Sequence, residues 1–233
     1  MKYLISKLPV LGTVQRKIHH KLEQINGFSG STNYWIDRYE IGKNSGPGSY
    51  NQLALHKAEV INNFVQENEI KTVIEYGCGD GNQLRFANYP QYTGFDISPR
   101  AIKLCQKLYE EDSSKTFHLL QDDSDTSYFA DLVISLDVIF HLVEDHIFEQ
   151  YMNQLFDSSN KFVCIYSSNT NENISSKVSH VKHRQFSSWV EANQPEWKLI
   201  KLVKNKFPYN GNDEISSFAD FYFYEKTIEV ANK

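Results

Sequence analysis

From residue 50 onward, the apolar positions follow two alternating patterns, one with helical spacing and one of short continuous runs. The residues that recur at helical spacing are Ala54, Ala58, Ile61 and Val65. They predict a helix over 50–68, and Ser49 with Gln52 has the spacing of a capping box at its start. The runs that follow are short enough to be strands, and amphipathic segments separate most of them.

Seven short apolar runs predict the strands of one sheet. They are 71–75, 92–95, 116–120, 131–136, 161–166, 197–204 and 218–224. Continuous apolar strands separated by helices indicate a parallel sheet covered on both faces. The last two runs have no long helix between them and predict an antiparallel pair. We therefore predict an α/β fold: a doubly wound, mostly parallel seven-stranded sheet with an antiparallel C-terminal strand and an N-terminal helical lid.

Polar residues predict where two further helices begin. Ser98 stands before Pro99, and serine followed by proline is typical of a cap and a first helical residue. Glu144 and Asp145 predict a helix start after the fourth strand, because acids favour the positive end of a helix.

A loop rich in glycine and proline at 42–48 divides the chain. We predict an N-terminal helical lid segment over 1–48 and a ligand-binding domain over 49–233. Residues 10–25 have the pattern of a basic amphipathic helix. Packing of this helix on its own domain or on a second subunit, as in a homodimer, is favoured over contact with a membrane surface.

Composition and charge restrict the possible partners and the location. The 233 residues carry a net charge of −5, which gives no support for a nucleic acid partner. The three cysteines are scattered, which predicts reduced thiols rather than a disulfide framework or a zinc site. No apolar run approaches the ~18 residues of a transmembrane segment. The start lacks a signal-type core, so we expect a cytoplasmic protein.

A glycine-rich segment follows the first predicted strand, where sheets of this kind bind ligands. It reads Glu75-Tyr76-Gly77-Cys78-Gly79-Asp80-Gly81. Glycines let the backbone turn sharply and approach a ligand closely. A dinucleotide site would have the spacing GxGxxG, with a helix end that holds phosphates. Here the third glycine comes one position early, which argues against a nicotinamide cofactor.

Acidic residues follow the next two strands. Asp96 ends the second strand about 20 residues after the glycines, where an acid accepts hydrogen bonds from ribose hydroxyls. Asp122 and Asp123 follow the third strand, where one of the pair would accept from an adenine amino group. The alternative for this pair is a solvated acidic turn.

These segments resemble the sequential signatures of class I S-adenosylmethionine-dependent methyltransferases, over about 50–166. The resemblance implies that S-adenosylmethionine is bound and S-adenosylhomocysteine is formed. It implies that Glu75 and the glycine loop, with Cys78, approach the methionine part of the cofactor. Asp96 would take the ribose, and Ile97 would pack on the adenine. Leu136 would line the pocket after the fourth strand, together with its neighbours Ser135 and Asp137.

The N-terminal segments 33–39 and 45–50 are similar to a methyltransferase subgroup often found in bacterial surface-polysaccharide gene clusters. Arg38 would grip the methionine carboxylate through its planar guanidinium group, the alternative being an ordinary surface salt bridge. Tyr34 and Tyr50 are candidates for contact with the acceptor.

Two histidine-containing segments are candidates for the acceptor side. His141 follows the fourth strand and is the candidate general base, because histidine titrates near neutral pH. His180, His183 and Arg184 form a basic cluster before a short helix that Ser188 and Glu191 introduce. This cluster would clamp a phosphate or carboxylate, the alternative being a solvated basic loop. We expect no metal, because methyl transfer needs none and no acid or thiolate stands near these histidines in sequence.

The leading hypothesis is therefore a methyltransferase that acts on a small molecule. Its acceptor would be a hydroxyl or phosphoryl oxygen of an anionic or sugar-linked molecule in capsule or surface-polysaccharide biosynthesis. An N-methyltransferase acting on a small amine is the near alternative. A nicotinamide-dependent oxidoreductase and a catalytically silent cofactor-binding domain are more distant alternatives.

Overall fold

A computed structural model describes residues 28–120, 128–173 and 178–227 of the chain. The strands are β1 Thr72–Tyr76, β2 Gln91–Asp96, β3 Lys115–Leu119, β4 Ala130–Leu136, β5 Ser159–Ser167, β6 Trp197–Val203 and β7 Asp220–Lys226. The helices in these ranges are α1 Ser31–Glu40, α2 Asn51–Glu67, α3 Pro99–Leu108, α4 Asp145–Asp157 and α5 Phe186–Asn193. The predicted helix at 10–25 lies outside the described residues.

The strands form one sheet in the order β3-β2-β1-β4-β5-β7-β6. The pairs from β3 to β5 are parallel, whereas β7 is antiparallel to both β5 and β6. This confirms the predicted doubly wound sheet of seven strands and its antiparallel C-terminal strand. The last strand inserts between β5 and β6.

Helices cover both faces of the sheet because successive strand residues point to opposite sides. Val73 of β1 packs with α2 and α3, whereas its neighbour Ile74 packs with α4 and α5. The central strands are therefore apolar on both faces. Polar side chains of these strands collect at the carboxyl edge, where β1 and β2 end in buried acids.

The helix starts predicted at Ser98 and at Glu144 and Asp145 are confirmed, whereas the capping box at Ser49 and the start predicted at Ser188 are wrong. Tyr50 is the N-cap of α2 without a side-chain bond, and the Gln52 amide instead donates to the Ile215 carbonyl at 2.7 Å. The capping box therefore does not form. Helix α5 begins at Phe186, so Ser188 lies inside it. Ser98 does cap α3, and its Oγ accepts from the Ala101 backbone N–H at 3.3 Å.

Within the described ranges, no helix has the length and apolar character needed to cross a membrane.

Candidate active site

A cavity of about 980 Å³ lies at the carboxyl edge of the sheet. Its wall includes residues from β1, β2 and β4 and, on the side of α1, Trp35 and Tyr39. Ligand pockets generally measure about 300–1,000 Å³. The cavity therefore has room for a nucleoside cofactor and a small second ligand under the helix α1, which we call the lid helix.

The glycine loop, residues 77–81, turns the chain back over the sheet edge. The backbone N–H groups of Gly77 and Cys78 both donate to the Phe95 carbonyl, at 2.7 and 3.0 Å. Gly79 has a φ of +58°, and a Cβ there would collide with Ser45 Oγ and the Tyr39 hydroxyl. A glycine is therefore needed where the loop meets the lid, because any side chain would separate the two.

Asp96 is a buried acid at the end of β2 whose oxygens are already partly used. Its Oδ2 accepts from the Gly79 N–H at 3.0 Å, and its Oδ1 accepts from the Ser98 N–H at 2.8 Å. Burial raises the pKa of Asp96 to about 6, although these two backbone hydrogen bonds oppose the shift. Each carboxylate oxygen retains capacity for a further donor, which suits a ribose diol.

Glu75 is a buried acid at the end of β1. The Tyr92 hydroxyl donates to its Oε2 at 2.6 Å. Burial raises the pKa of Glu75 to about 7, against the opposing effects of the Tyr92 hydrogen bond and the nearby Lys57 charge. Cationic groups that enter the cavity would favour its ionised form.

Two further groups in the wall fit a polar ligand. Gln83 uses its amide N–H to donate to the Ala54 carbonyl at 2.9 Å, while its buried Oε1 has no partner among the described residues. Lys57 of α2 is only 1% exposed, and its ammonium donates to Asp137 Oδ2 at 2.6 Å. The orphaned acceptor, the glycine loop and Asp96 together provide contacts that suit a cofactor containing a ribose and an amino acid.

The lid helix is tethered at both of its ends. At the start, Ser31 Oγ donates to Glu144 Oε2 at 2.5 Å and accepts from the Val143 N–H at 2.9 Å. At the other end, the Tyr39 hydroxyl lies 2.8 Å from Ser45 Oγ. Asp80 of the glycine loop accepts from the Ser45 N–H at 3.0 Å.

His141 lies in the cavity wall, in a short turn after β4. Its Nδ1 is 2.9 Å from the His180 carbonyl oxygen, and a carbonyl only accepts, so we assign the proton to Nδ1. Nε2 is then left as an acceptor. Burial, together with the neighbouring basic groups, lowers the pKa of His141 to about 3. The ring is therefore neutral at physiological pH.

The structure brings eight of the predicted residues together in the cavity wall. They are Glu75, Gly77, Cys78, Gly79, Asp96, Ile97, Leu136 and His141. The other described candidates are not among its lining residues: Tyr34, Arg38, Tyr50, His180, His183 and Arg184. Asp122 and Asp123 lie outside the described residues. The cofactor and acceptor roles of all these residues stay predictions.

The six residues outside the wall mainly contact other protein groups. Arg38 donates through Nε to the Asn44 carbonyl at 2.7 Å and lies over the Trp35 ring. The Tyr50 hydroxyl donates to Asp80 at 2.8 Å. His180 stacks on Tyr34, with ring centroids 4.2 Å apart.

The proposed anion clamp has much of its hydrogen-bonding capacity already in use. Arg184 donates to the Leu142 carbonyl at 2.6 Å, to the Val143 carbonyl at 2.8 Å and to Asp145. His183 Nδ1 lies 2.7 Å from Ser168 Oγ. Arg184 therefore fastens the segment that follows β4, and the role of the cluster toward an acceptor anion stays a prediction.

Lys57 and Gln83 were missed by the sequence analysis. The signal for Lys57 was its place within the apolar stripe of α2, one residue before Ala58 and four before Ile61, both of which are buried. A lysine on such a stripe must find a partner in the protein.

Comparisons with known proteins agree with this geometry. Residues 73–169 match a protein family described as a methyltransferase domain. A search of curated protein sequences finds no match. The N-methyltransferase NodS from Bradyrhizobium japonicum WM9, in complex with S-adenosylhomocysteine, has a TM-score of 0.66 and 12% identity over 84% of this chain and 98% of that one. Magnesium protoporphyrin IX methyltransferase from Synechocystis PCC 6803, with bound S-adenosylmethionine, has a TM-score of 0.61 and 13% identity over 86% and 99%.

The sheet order and the flanking helices define the Rossmann-like fold of methyltransferases. The family that residues 73–169 match is described as a methyltransferase domain, which indicates a methyltransferase with this fold.

Proposed function

We propose that this chain transfers the methyl group of S-adenosylmethionine to an oxygen of a small anionic or sugar-linked acceptor, in the synthesis of a capsule or another surface polysaccharide. The observation that carries the proposal is a single cavity whose wall contains the glycine loop, Asp96 and His141. The similarity of residues 33–39 and 45–50 to a subgroup from polysaccharide gene clusters supports the acceptor class.

S-adenosylmethionine supplies a methyl group that its sulfonium has already activated. The residues then need to align the donor with the acceptor and exclude water. Asp96 accepts hydrogen bonds from the ribose, and Gly77 and Gly79 allow close approach of the backbone. The lid helix covers the cavity. NodS and the protoporphyrin enzyme, which have this fold, were solved with the same cofactor or its product.

His141 receives the acceptor in this proposal. Its Nε2 accepts a hydrogen bond from the acceptor hydroxyl and so points the oxygen lone pair toward the methyl group. A pKa of about 3 makes His141 a weak base. It suffices, because the hydroxyl proton becomes strongly acidic once the oxygen begins to bond to the methyl carbon.

An amine acceptor is the second candidate, and the same low pKa favours it. A neutral amine already carries a lone pair and needs only a hydrogen-bond acceptor to orient it. An activity assay distinguishes the oxygen acceptor from the nitrogen acceptor. It measures the formation of S-adenosylhomocysteine from S-adenosylmethionine with matched sugar nucleotides, one set with hydroxyls alone and one with an added amine. Turnover restricted to the amino sugars would assign nitrogen as the acceptor.

We expect His141→Ala to lower kcat roughly 100-fold, because the acceptor loses the group that orients it and takes its proton. The dissociation constant of S-adenosylhomocysteine, measured by calorimetry, should stay within about twofold. His118→Ala is the matched control, since His118 lies on β3 outside the cavity wall and has no predicted role in the site, and it should keep most of the activity. Near-normal turnover of His141→Ala would reject this role.

Calorimetric titration of the wild-type protein with S-adenosylhomocysteine and with NAD tests the donor. We expect binding of the first ligand only. Binding of NAD alone would replace the methyltransferase proposal with an oxidoreductase.

A further inference from the structure

Lys57 has a particular place in the cavity wall. It is the only lysine or arginine among the described residues that line the cavity, where its ammonium donates to Asp137 and its charge acts on Glu75. The acids of the same wall, among them Glu75, Asp96 and Asp137, would repel an anionic group when they are ionised. An anion that enters the cavity is therefore expected to bind at this ammonium.

The Lys57 ammonium also has hydrogen-bonding capacity to spare. An ammonium has three N–H donors, and in the described structure only Asp137 Oδ2 accepts from it, at 2.6 Å. The Tyr166 ring lies 5.4 Å away and offers only its face. Because the side chain is 1% exposed, bulk water does not readily satisfy the remaining donors. Unused donors on a buried charge in a cavity wall indicate a ligand.

Asp137 has a matching free acceptor. Its Oδ2 bonds to Lys57, whereas no described group donates to its Oδ1. Asp137 has a φ of +60°, an uncommon conformation for a residue other than glycine, and such strain tends to persist at functional sites. The ion pair therefore presents unused N–H donors and one unused carboxylate oxygen side by side.

We propose that Lys57 and Asp137 form an amino-acid clamp, in which the Lys57 ammonium binds the α-carboxylate of the donor and Asp137 Oδ1 accepts from its α-ammonium group. This rests on the proposed function, because the zwitterion is the methionine end of S-adenosylmethionine. The clamp takes the role first expected of Arg38, whose Nε donates to the Asn44 carbonyl and whose side chain lies outside the cavity wall.

Calorimetry with two ligands tests the clamp. S-adenosylhomocysteine has the zwitterionic end, whereas 5′-methylthioadenosine shares the nucleoside and thioether but lacks it. We expect Lys57→Met to weaken S-adenosylhomocysteine binding roughly 10- to 100-fold, the usual effect of losing a hydrogen-bonded charge. Binding of 5′-methylthioadenosine should change less than about twofold, which also shows that the variant is folded.

Two further variants complete the experiment. The double variant Lys57→Met/Asp137→Asn leaves no unpaired charge, so it keeps the test usable if Lys57→Met unfolds, and it should show the same selective loss. Lys201→Met removes a lysine that pairs with Glu67 outside the cavity, at 3.0 Å, and should change neither affinity.

Unchanged S-adenosylhomocysteine binding in Lys57→Met, or in the double variant, would overturn the clamp and leave an acceptor anion as the partner of Lys57. Equal losses for both ligands in a folded variant would overturn it as well. If wild-type protein binds neither ligand, the proposed function fails together with the clamp. If wild-type protein binds S-adenosylhomocysteine normally and only the variants disagree, the clamp fails alone.

Discussion

Glu75 is held in a setting that disfavours its own charge. It is fully enclosed at the end of β1, where the Tyr92 hydroxyl and the Lys57 charge only partly offset the loss of water. Its pKa of about 7, against an ordinary value of 4.5, means that the folded protein holds a proton that the unfolded chain has released. A group of this kind links protein stability to pH.

We therefore expect the free energy of unfolding to fall as the pH rises from about 4.5 to about 7. The stabilising effect of protonated Glu75 is fully present below the unfolded pKa and is lost as the pH passes the folded pKa. The contribution is at most about 3 kcal/mol. Urea denaturation of wild type and Glu75→Gln at pH 5 and pH 8 measures it, because the amide is isosteric with the protonated acid and cannot ionise.

Glu75→Gln should lose most of this pH dependence, although Asp96, whose pKa burial raises to about 6, retains a contribution of the same sign. Asp112→Asn is a suitable control, since hydrogen bonds with Lys115 and Ser114 lower the pKa of that acid to about 2, outside the tested range. If the free energy of unfolding of Glu75→Gln falls between pH 5 and pH 8 as much as that of wild type, then Glu75 is ionised at both pH values.

At the scale of elements, Arg184 joins the turn after β4 to the start of α4. Its guanidinium satisfies the Leu142 and Val143 carbonyls and lies over the Phe148 ring, with the carbon 4.6 Å from the ring centroid. The turn that carries His141 ends at these two carbonyls. Arg184 thereby holds the segment between His141 and α4 in place.

We expect Arg184→Ala to lower the free energy of unfolding by about 2 kcal/mol, because two carbonyls lose their donors. The ion pair with Asp145 adds little, since that carboxylate is 70% exposed. Lys182→Ala is the matched control: Lys182 pairs with the same Asp145 at 2.6 Å, and its loss should cost less than about 1 kcal/mol. Urea denaturation of both variants measures the difference, and equal losses would contradict the carbonyl argument.

Helices and strands could be predicted from the sequence wherever a pattern of neighbouring residues determines them. The apolar runs of β1 to β5 and the Ser98 cap are of this kind, because neighbouring residues carry the whole signal. The insertion of β7 between β5 and β6 could not be predicted, since it depends on pairing between strands far apart in the chain.

The same distinction holds for the site. Glu75 and Asp96 could be predicted because each lies at the carboxyl end of a strand, at the sheet edge. The position of Arg184 could not, because the carbonyls it binds are 41 and 42 residues away and its charge alone indicated an open anion site. Lys57 could not be predicted as a site residue because a helical apolar pattern is read from apolar residues only. In the structure Lys57 nevertheless lies among the buried residues of α2.

At the scale of the whole molecule, the sheet edge and the lid helix enclose the cavity together. The lid helix contacts the domain through Ser31 on Glu144 and through the rings of Tyr34 and Trp35 on His180 and His141. These are side-chain contacts, whereas the sheet is held by continuous strand pairing. Segments with few buried contacts open at lower free energy than the core, so the lid is the natural route by which a cofactor enters.

We therefore expect S-adenosylhomocysteine to stabilise the lid selectively as well as the protein globally. At about 100 times its dissociation constant, the ligand adds about 2.7 kcal/mol, which raises the melting temperature by roughly 5–10 °C. Hydrogen exchange should slow for the amides of α1, because the ligand in the cavity contacts Trp35 and Tyr39 from below. Hydrogen exchange of the β6 amides, at the far edge of the sheet, should slow only where those amides exchange through global unfolding. A rise in melting temperature without slower exchange in α1 would mean that the cofactor binds while the lid is open, and that the tethers at Ser31 and Tyr39 close only after the acceptor arrives.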